Sequence, residues 1–339
     1  MSGFTDRLRR MLLLAAAAAV CAFLLAGCAG RDVVFTSGLP EDEVFLIRNG
    51  DSTIIASLPE TLIYVESIRS EISEALWSDE LYYEDETRAM ALSRLSRVKV
   101  MNLMAIEYGI SLEPEEESAA DSMATAWLYA SREQSGVDGA DFELLSRMYR
   151  EYLLAEKVYR SVTAGVSAEI SDDEARKVHL EVLAVSRIDG EGGRLSEAED
   201  ARAKARVQAA RRRVMDGESF GSLVAEMSER PVSSLVIGRG EAEPAIEAAA
   251  FSLSSGEVSE VVTTSNEYLL LKCIINYDRL ETELNREQII RKRRDEVFSG
   301  QFDSFAEKLD IHRNAEVWGK ITQEGGAGSV NFFDFCENE

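Results

Sequence analysis

The chain has 339 residues, 29% of them charged, and a formal net charge of -24 at neutral pH. Such a surface repels phosphate backbones and anionic lipid headgroups, which excludes a nucleic-acid role. Only two histidines are present, His179 and His312. No Cys/His cluster has zinc-site spacing, and neither a phosphate-binding Gly loop nor a Gly-x-Ser-x-Gly elbow occurs.

The N-terminus carries Arg7, Arg9 and Arg10, then an apolar run from Met11 to Leu25, then small residues before Cys28. That order of charge, apolar core and small residues predicts a cleavable signal over 1–27. The run is short for a membrane-spanning helix, which needs about 20 residues. Leu25-Ala-Gly-Cys28 resembles the lipobox of bacterial lipoproteins. The resemblance implies cleavage before Cys28 and acylation of that residue. The protein would then be anchored on the extracytoplasmic side of a bacterial membrane, with Ala29 leaning towards the outer membrane. An uncleaved signal anchor and a secreted protein are the alternatives. The mature chain would carry 34 basic and 60 acidic residues. Cys273 and Cys336 would remain as cysteines that can pair or stay reduced.

Residues 28–42 show no periodicity and read as a tether, about 45 Å long if fully extended. Phe45 to Ile55 reads as two short strands around Asn49-Gly50. From about 58 to 165 apolar residues recur three and four apart, which predicts four amphipathic helices. Their first faces carry Leu62, Val65 and Ile68, then Leu92, Leu95 and Val98. The third carries Met123 and Trp127, the fourth Leu145, Met148 and Tyr152. The acidic stretch Ser78 to Glu86 reads as a loop. Val178 to Val185 reads as a strand. Residues 196–215 read as a helix closed by Gly217, with a solvated basic face from Arg202 to Arg213. Short helices follow at Phe220 to Met227 and Glu243 to Phe251, and strands at Val258 to Thr263 and Tyr268 to Asn276. Residues 284–309 form a helix whose stripe (Val297, Phe298, Phe302, Phe305) needs a partner surface. The tail after Thr322 is Gly-rich and ends in the apolar tip Asn331 to Cys336.

Gly217-Glu-Ser-Phe-Gly-Ser-Leu-Val-Ala-Glu-Met-Ser228, Gly238-Arg-Gly240, Pro244 to Phe251 and Leu253-Ser-Ser-Gly-Glu-Val-Ser259 resemble, in order and spacing, the parvulin (rotamase, PpiC-like) peptidyl-prolyl isomerases. With Arg48-Asn-Gly-Asp51, the helical region and a final helix ending in Ile311-His-Arg-Asn314, the arrangement resembles exported foldases with a parvulin domain inserted into a helical chaperone domain. The resemblance implies an α+β fold. Residues 43–172 and 279–322 would build the helical domain, 173–278 would be a parvulin-like domain with a small antiparallel sheet, and 323–339 a tail. It also implies catalysis without a cofactor. Unfolded or newly exported proteins would be the partners, reached from the lipid anchor.

The family's two facing histidines fall on Glu181 and Leu269, and its pocket Met and Phe on Ala242 and Ile246. His179 shares a strand face with Glu181 and would substitute only after a shift of about 7 Å. His179 and Glu181 are therefore the candidate catalytic residues; otherwise His179 is a strand-edge residue with no catalytic role. Ala242, Ile246, Phe251 and Leu269 are the candidate substrate-binding residues. Three functions remain open: a chaperone with weak or no rotamase activity, an active isomerase, and a scaffold lipoprotein dedicated to one partner.

Overall fold

The computed structural model describes residues 34–36, 39–71, 80–133, 137, 139–318, 321 and 330–336. The signal segment and Cys28 lie outside the described residues. The chain divides into two compact units, one of residues 1–165 with 296–339 and one of 166–295; sequence reading had drawn the junctions at 172/173 and 278/279.

In the first unit, strands β2 (Glu43–Asn49) and β3 (Ser52–Ser57) form an antiparallel hairpin. Beside β2 lies β8 (Asp310–Asn314), antiparallel, and outside it β1 (Val34–Thr36), parallel to β8. Two of these strands depart from the sequence reading. Residues 310–314 form a strand and not the end of a helix, because β2 supplies ladder partners from more than 260 residues away. β1 takes Val34–Thr36 out of the tether for the same reason.

Helices α1 (Leu58–Glu71), α2 (Glu80–Tyr108), α3 (Pro114–Ala130) and α4 (Phe142–Thr163) follow. The sequence reading had placed a loop at 78–86, but α2 begins at Glu80. No Gly or Pro interrupts residues 80–108, and like charges alone do not break a helix. Helix α3 starts with a capping box between Glu113 and Glu116, and α4 with Asp141 accepting the Leu144 N–H at 2.8 Å. The unit's core joins Ile63, Tyr64, Leu95, Leu103, Leu145 and Tyr149 to Phe298, Phe302 and Phe305. The last three lie on helix α9 (Arg279–Ala306), so the phenylalanines of its stripe find their partner, while Val297 stays 43% exposed. Phe332 is buried in the same core. One charged cluster is buried too: Lys99 Nζ lies 2.6 Å from both Glu60 and Glu151.

The second unit is built on a sheet of order β5-β4-β7-β6. Its strands are β4 (Val178–Ser186), β5 (Ser234–Ile237), β6 (Val262–Thr263) and β7 (Glu267–Ile275). Sequence reading missed β5 and made β6 too long. Leu271 N–H goes to the Ser259 hydroxyl instead of a backbone carbonyl, so Val258 keeps only a single bridge to Lys272. Helices α6 (Glu197–Met215) and α7 (Phe220–Met227) pack on one face of the sheet, against Leu183, Val185, Tyr268 and Leu270. Helix α8 (Pro244–Ser252) packs on the other, against Val178, Leu180, Val182, Leu269 and Leu271. On α6, Arg202, Lys204, Arg206 and Arg212 are exposed, as a solvated basic face requires. Cys273 and Cys336 form no disulfide. Among the described residues no helix is long and apolar enough to cross a membrane, and no cluster of His, Cys, Asp and Glu could hold a metal ion.

Candidate functional site

Side chains alternate along a strand, and the two faces of β4 meet different neighbours. Val178, Leu180, Val182 and Ala184 point into the apolar cluster beneath α8. Across to β7, Ala184 pairs with Leu269, Val182 with Leu271 and Leu180 with Cys273. The cluster includes Ile246 and, at its partly buried edge, Ala242 and Phe251. The structure therefore brings together all four candidate substrate-binding residues, Ala242, Ile246, Phe251 and Leu269.

It separates them from both candidate catalytic residues. Glu181 has the opposite parity on β4. A Cβ placed on Gly221 of α7 would stand 3.3 Å from Glu181 Oε1, so this carboxylate faces the other side of the sheet. His179 lies between Val236 of β5 and Ile275 of β7 on that same opposite parity. Its Nε2 stands 3.2 Å from Asp278 Oδ2 but makes no aligned hydrogen bond. Asp278 in turn caps the start of α9, where its Oδ1 accepts the Glu281 N–H. His179 is thus a strand-end side chain beside a helix cap.

Val178, Leu180, Val182 and Ala184 of β4 share the face of Leu269, and the sequence marks none of them as a site residue. The run Val182-Leu183-Ala184-Val185 is buried on both faces. It shows no polar alternation that would have told one face from the other.

Phe251 is held by cations. The Arg239 guanidinium lies 4.0 Å from the ring centroid and that of Arg176 4.8 Å. Arg176 also donates to the Phe251 carbonyl at 2.9 Å, and Arg239 binds Asp173 through both carboxylate oxygens. The hydrogen bond from Arg239 lowers the Asp173 carboxyl below its ordinary range. The neighbouring turn is tight. The Gly238 N–H donates to Glu241 at 2.8 Å, and a Cβ at Gly238 would come within 3.2 Å of Asn285, Glu241 and Lys177. A Gly-Arg-Gly segment suits this close approach.

Chemically, the face under α8 offers an apolar floor with a partly exposed edge at Ala242 and Phe251. Within the apolar cluster no side chain of β4 or β7 carries an acid, a base or a nitrogen donor; Glu267, of the same parity at the start of β7, pairs with Arg230 at 3.2 Å, and Cys273 adds only a thiol, whose pKa burial pushes up. Residues 187–274 match the family model of the rotamase domain, the PPIC-type PPIASE.

That segment is a parvulin-type domain. The match begins one residue past β4, so it contains Ala242, Ile246, Phe251 and Leu269 but neither His179 nor Glu181. No curated protein matches the chain. Among solved structures, it is similar to a peptidylprolyl isomerase (PrsA) from Bacillus cereus, with 18% identity over 86% of this chain and 99% of that one and a TM-score of 0.36. A foldase protein (PrsA) from Lactococcus lactis has 13% identity over 82% and 99%, with a TM-score of 0.31. A structure of the SurA-like chaperones PEB4 and Cj1289 of Campylobacter jejuni has 13% identity over 80% and 99%, with a TM-score of 0.30.

Proposed function

We propose that this chain is a membrane-tethered extracytoplasmic foldase-like chaperone. It binds unfolded exported proteins, and its parvulin-type domain speeds X-Pro rotation weakly or not at all. The observation that carries the reading is the aliphatic character of the β4–β7 pairs Ala184–Leu269 and Val182–Leu271, on the face of Leu269, where one of the family's two histidines falls. Rotation about X-Pro must cross a barrier of about 20 kcal/mol, and lowering it needs polar groups that stabilise the twisted amide. An apolar floor can hold a proline ring or another greasy side chain, yet it offers the amide nothing. Holding an unfolded chain needs only such surfaces, together with the solubility that the net charge supplies. The lipobox at Cys28 supports placement at a membrane, where clients emerge.

Two assays on one preparation test this. A protease-coupled assay on a proline tetrapeptide should give a rate at or near the uncatalysed one, even at high protein concentration. Aggregation of an unfolded exported protein should be suppressed by the same sample. Rapid catalysis would favour an active isomerase, and failure to suppress aggregation would sink the chaperone reading.

A further inference from the structure

The apolar tip of the tail, unassigned from sequence, occupies a well-defined seat on the first unit. Phe332 is fully buried and lies flat on Tyr149, ring centroids 4.2 Å apart and planes 11° apart. Phe333 meets Tyr64 edge-on at 5.3 Å and lies under the Arg94 guanidinium at 5.0 Å. The backbone of Phe332 is bound on both sides. Its N–H donates to Ser67 Oγ at 2.9 Å, and its carbonyl accepts from the Tyr149 hydroxyl at 3.0 Å. Asn331 starts the turn by accepting the Phe333 N–H and donates to Glu71 at 3.4 Å.

The side chains named in the seat come from α1, α2 and α4, and α3 also lies against the turn, while the occupant is one run of six residues. A single turn such as Phe332–Phe335 cannot hold itself, since helix nucleation is unfavourable. Its order therefore comes from the seat. The chain before it, Gly325-Gly-Ala-Gly328, is rich in glycine. The occupant is also shallow: Phe332 alone is fully buried, Phe333 and Phe335 are half-buried, and Asp334 is exposed. Phe298, Phe302 and Phe305 differ in this respect, because a long helix carries them into the core. The seat itself requires an occupant. Without one, the hydroxyl of fully buried Tyr149 loses its acceptor, which is costly for a buried polar group.

We propose that this is a peptide-binding site filled in cis. The Asn331–Cys336 segment is a removable occupant, and a peptide presenting two adjacent aromatic side chains on the same kind of turn takes its place. That such peptides are client segments rests on the chaperone reading; the site does not.

The test uses the full mature chain with a protease sequence in place of residues 325–328, cut after folding. The probe is a fluorescein-labelled peptide Asn-Phe-Phe-Asp-Phe. After gel filtration the cut chain should keep its helix signal, lose its tail, and bind the probe at least tenfold more tightly than the uncut chain. A probe with alanine in the Phe332 position should not bind. The uncut Phe332→Ala chain, which leaves the seat without its anchor, should bind the parent probe about as well as the cut chain. Retention of the tail without exchange, equal binding by cut and uncut chains, or unfolding on loss of the tail would each overturn the proposal. So would a folded Phe332→Ala chain that ignores the probe. Probe exchange without aggregation suppression would remove the chaperone reading and leave the site standing; suppression without exchange would do the reverse.

Discussion

Replacing Lys99 by Met should destabilise the first unit in a way that depends strongly on pH. Lys99 and Glu60 are each 1% exposed, Glu151 is 17% exposed, and one ammonium stands 2.6 Å from both carboxylates. One cation can neutralise only one of two buried anions. Burial first, and the charge of Glu60 next, push the Glu151 carboxyl up from 4.5 to about 7 against the pull of Lys99. The folded state therefore holds a proton that the unfolded state has released. The stability this contributes is full below about pH 4.5 and is lost as pH rises towards 7, about 3 kcal/mol over that window at about 1.4 kcal/mol per unit. Removing the ammonium leaves both carboxylates without a partner charge. Breaking a buried pair in this way costs about 3–5 kcal/mol at pH 8. At pH 5 the Glu151 carboxyl is already protonated, so one anion fewer is left uncompensated and the loss should be smaller. Urea unfolding followed by tryptophan fluorescence reads this unit alone, because Trp77, Trp127 and Trp318 all belong to it. A loss under about 1 kcal/mol at pH 8, or one of equal size at both pH values, would refute the reasoning.

Glu151→Gln should flatten the dependence of wild-type stability on pH between 5 and 7, read in the same assay. Asn314→Ala removes a fully buried amide that donates to the carbonyls of Pro40 and Glu43 and accepts the Glu316 N–H; unfolding should show a loss of about 2 kcal/mol. Gly217 closes α6 at φ +99° with open space around it, so Gly217→Ala should cost about 1–2 kcal/mol through backbone strain alone, visible as an earlier loss of helix signal on heating. Any rate above the uncatalysed one in the protease-coupled proline assay should be unchanged in His179→Ala and Glu181→Ala; loss of that excess in either would contradict their placement on the far side of the sheet.

The helices of the first unit were legible because each packs one stripe, and a stripe repeats at a spacing that local sequence preserves. The inserted unit was legible from glycines and short motifs whose order is distinctive. What escaped was set from a distance. Nothing local marks Asp310–Asn314 as a strand, since its ladder partners lie in β2. The site escaped more subtly. The substrate-binding candidates fall on segments with clear motifs and lie in one cluster. The catalytic candidates were drawn from polar residues on a strand whose polar positions face away from the cluster. Choosing between Glu181 and Val182 is a one-residue decision, and on a strand one residue exchanges the two faces.

The first unit has a further property that follows from its two-part chain. Its core cannot close until Phe298, Phe302 and Phe305 have joined the helices that precede them by well over a hundred residues. A chain emerging N-terminus first through a channel would present α1 to α4 with their apolar faces uncovered. Residues 166–295 would meanwhile be complete and able to collapse on their own. This unit therefore spends its own birth in the condition of the molecules it is proposed to hold. The run Asn331–Cys336, which fills the seat on the helices, follows α9 in the chain.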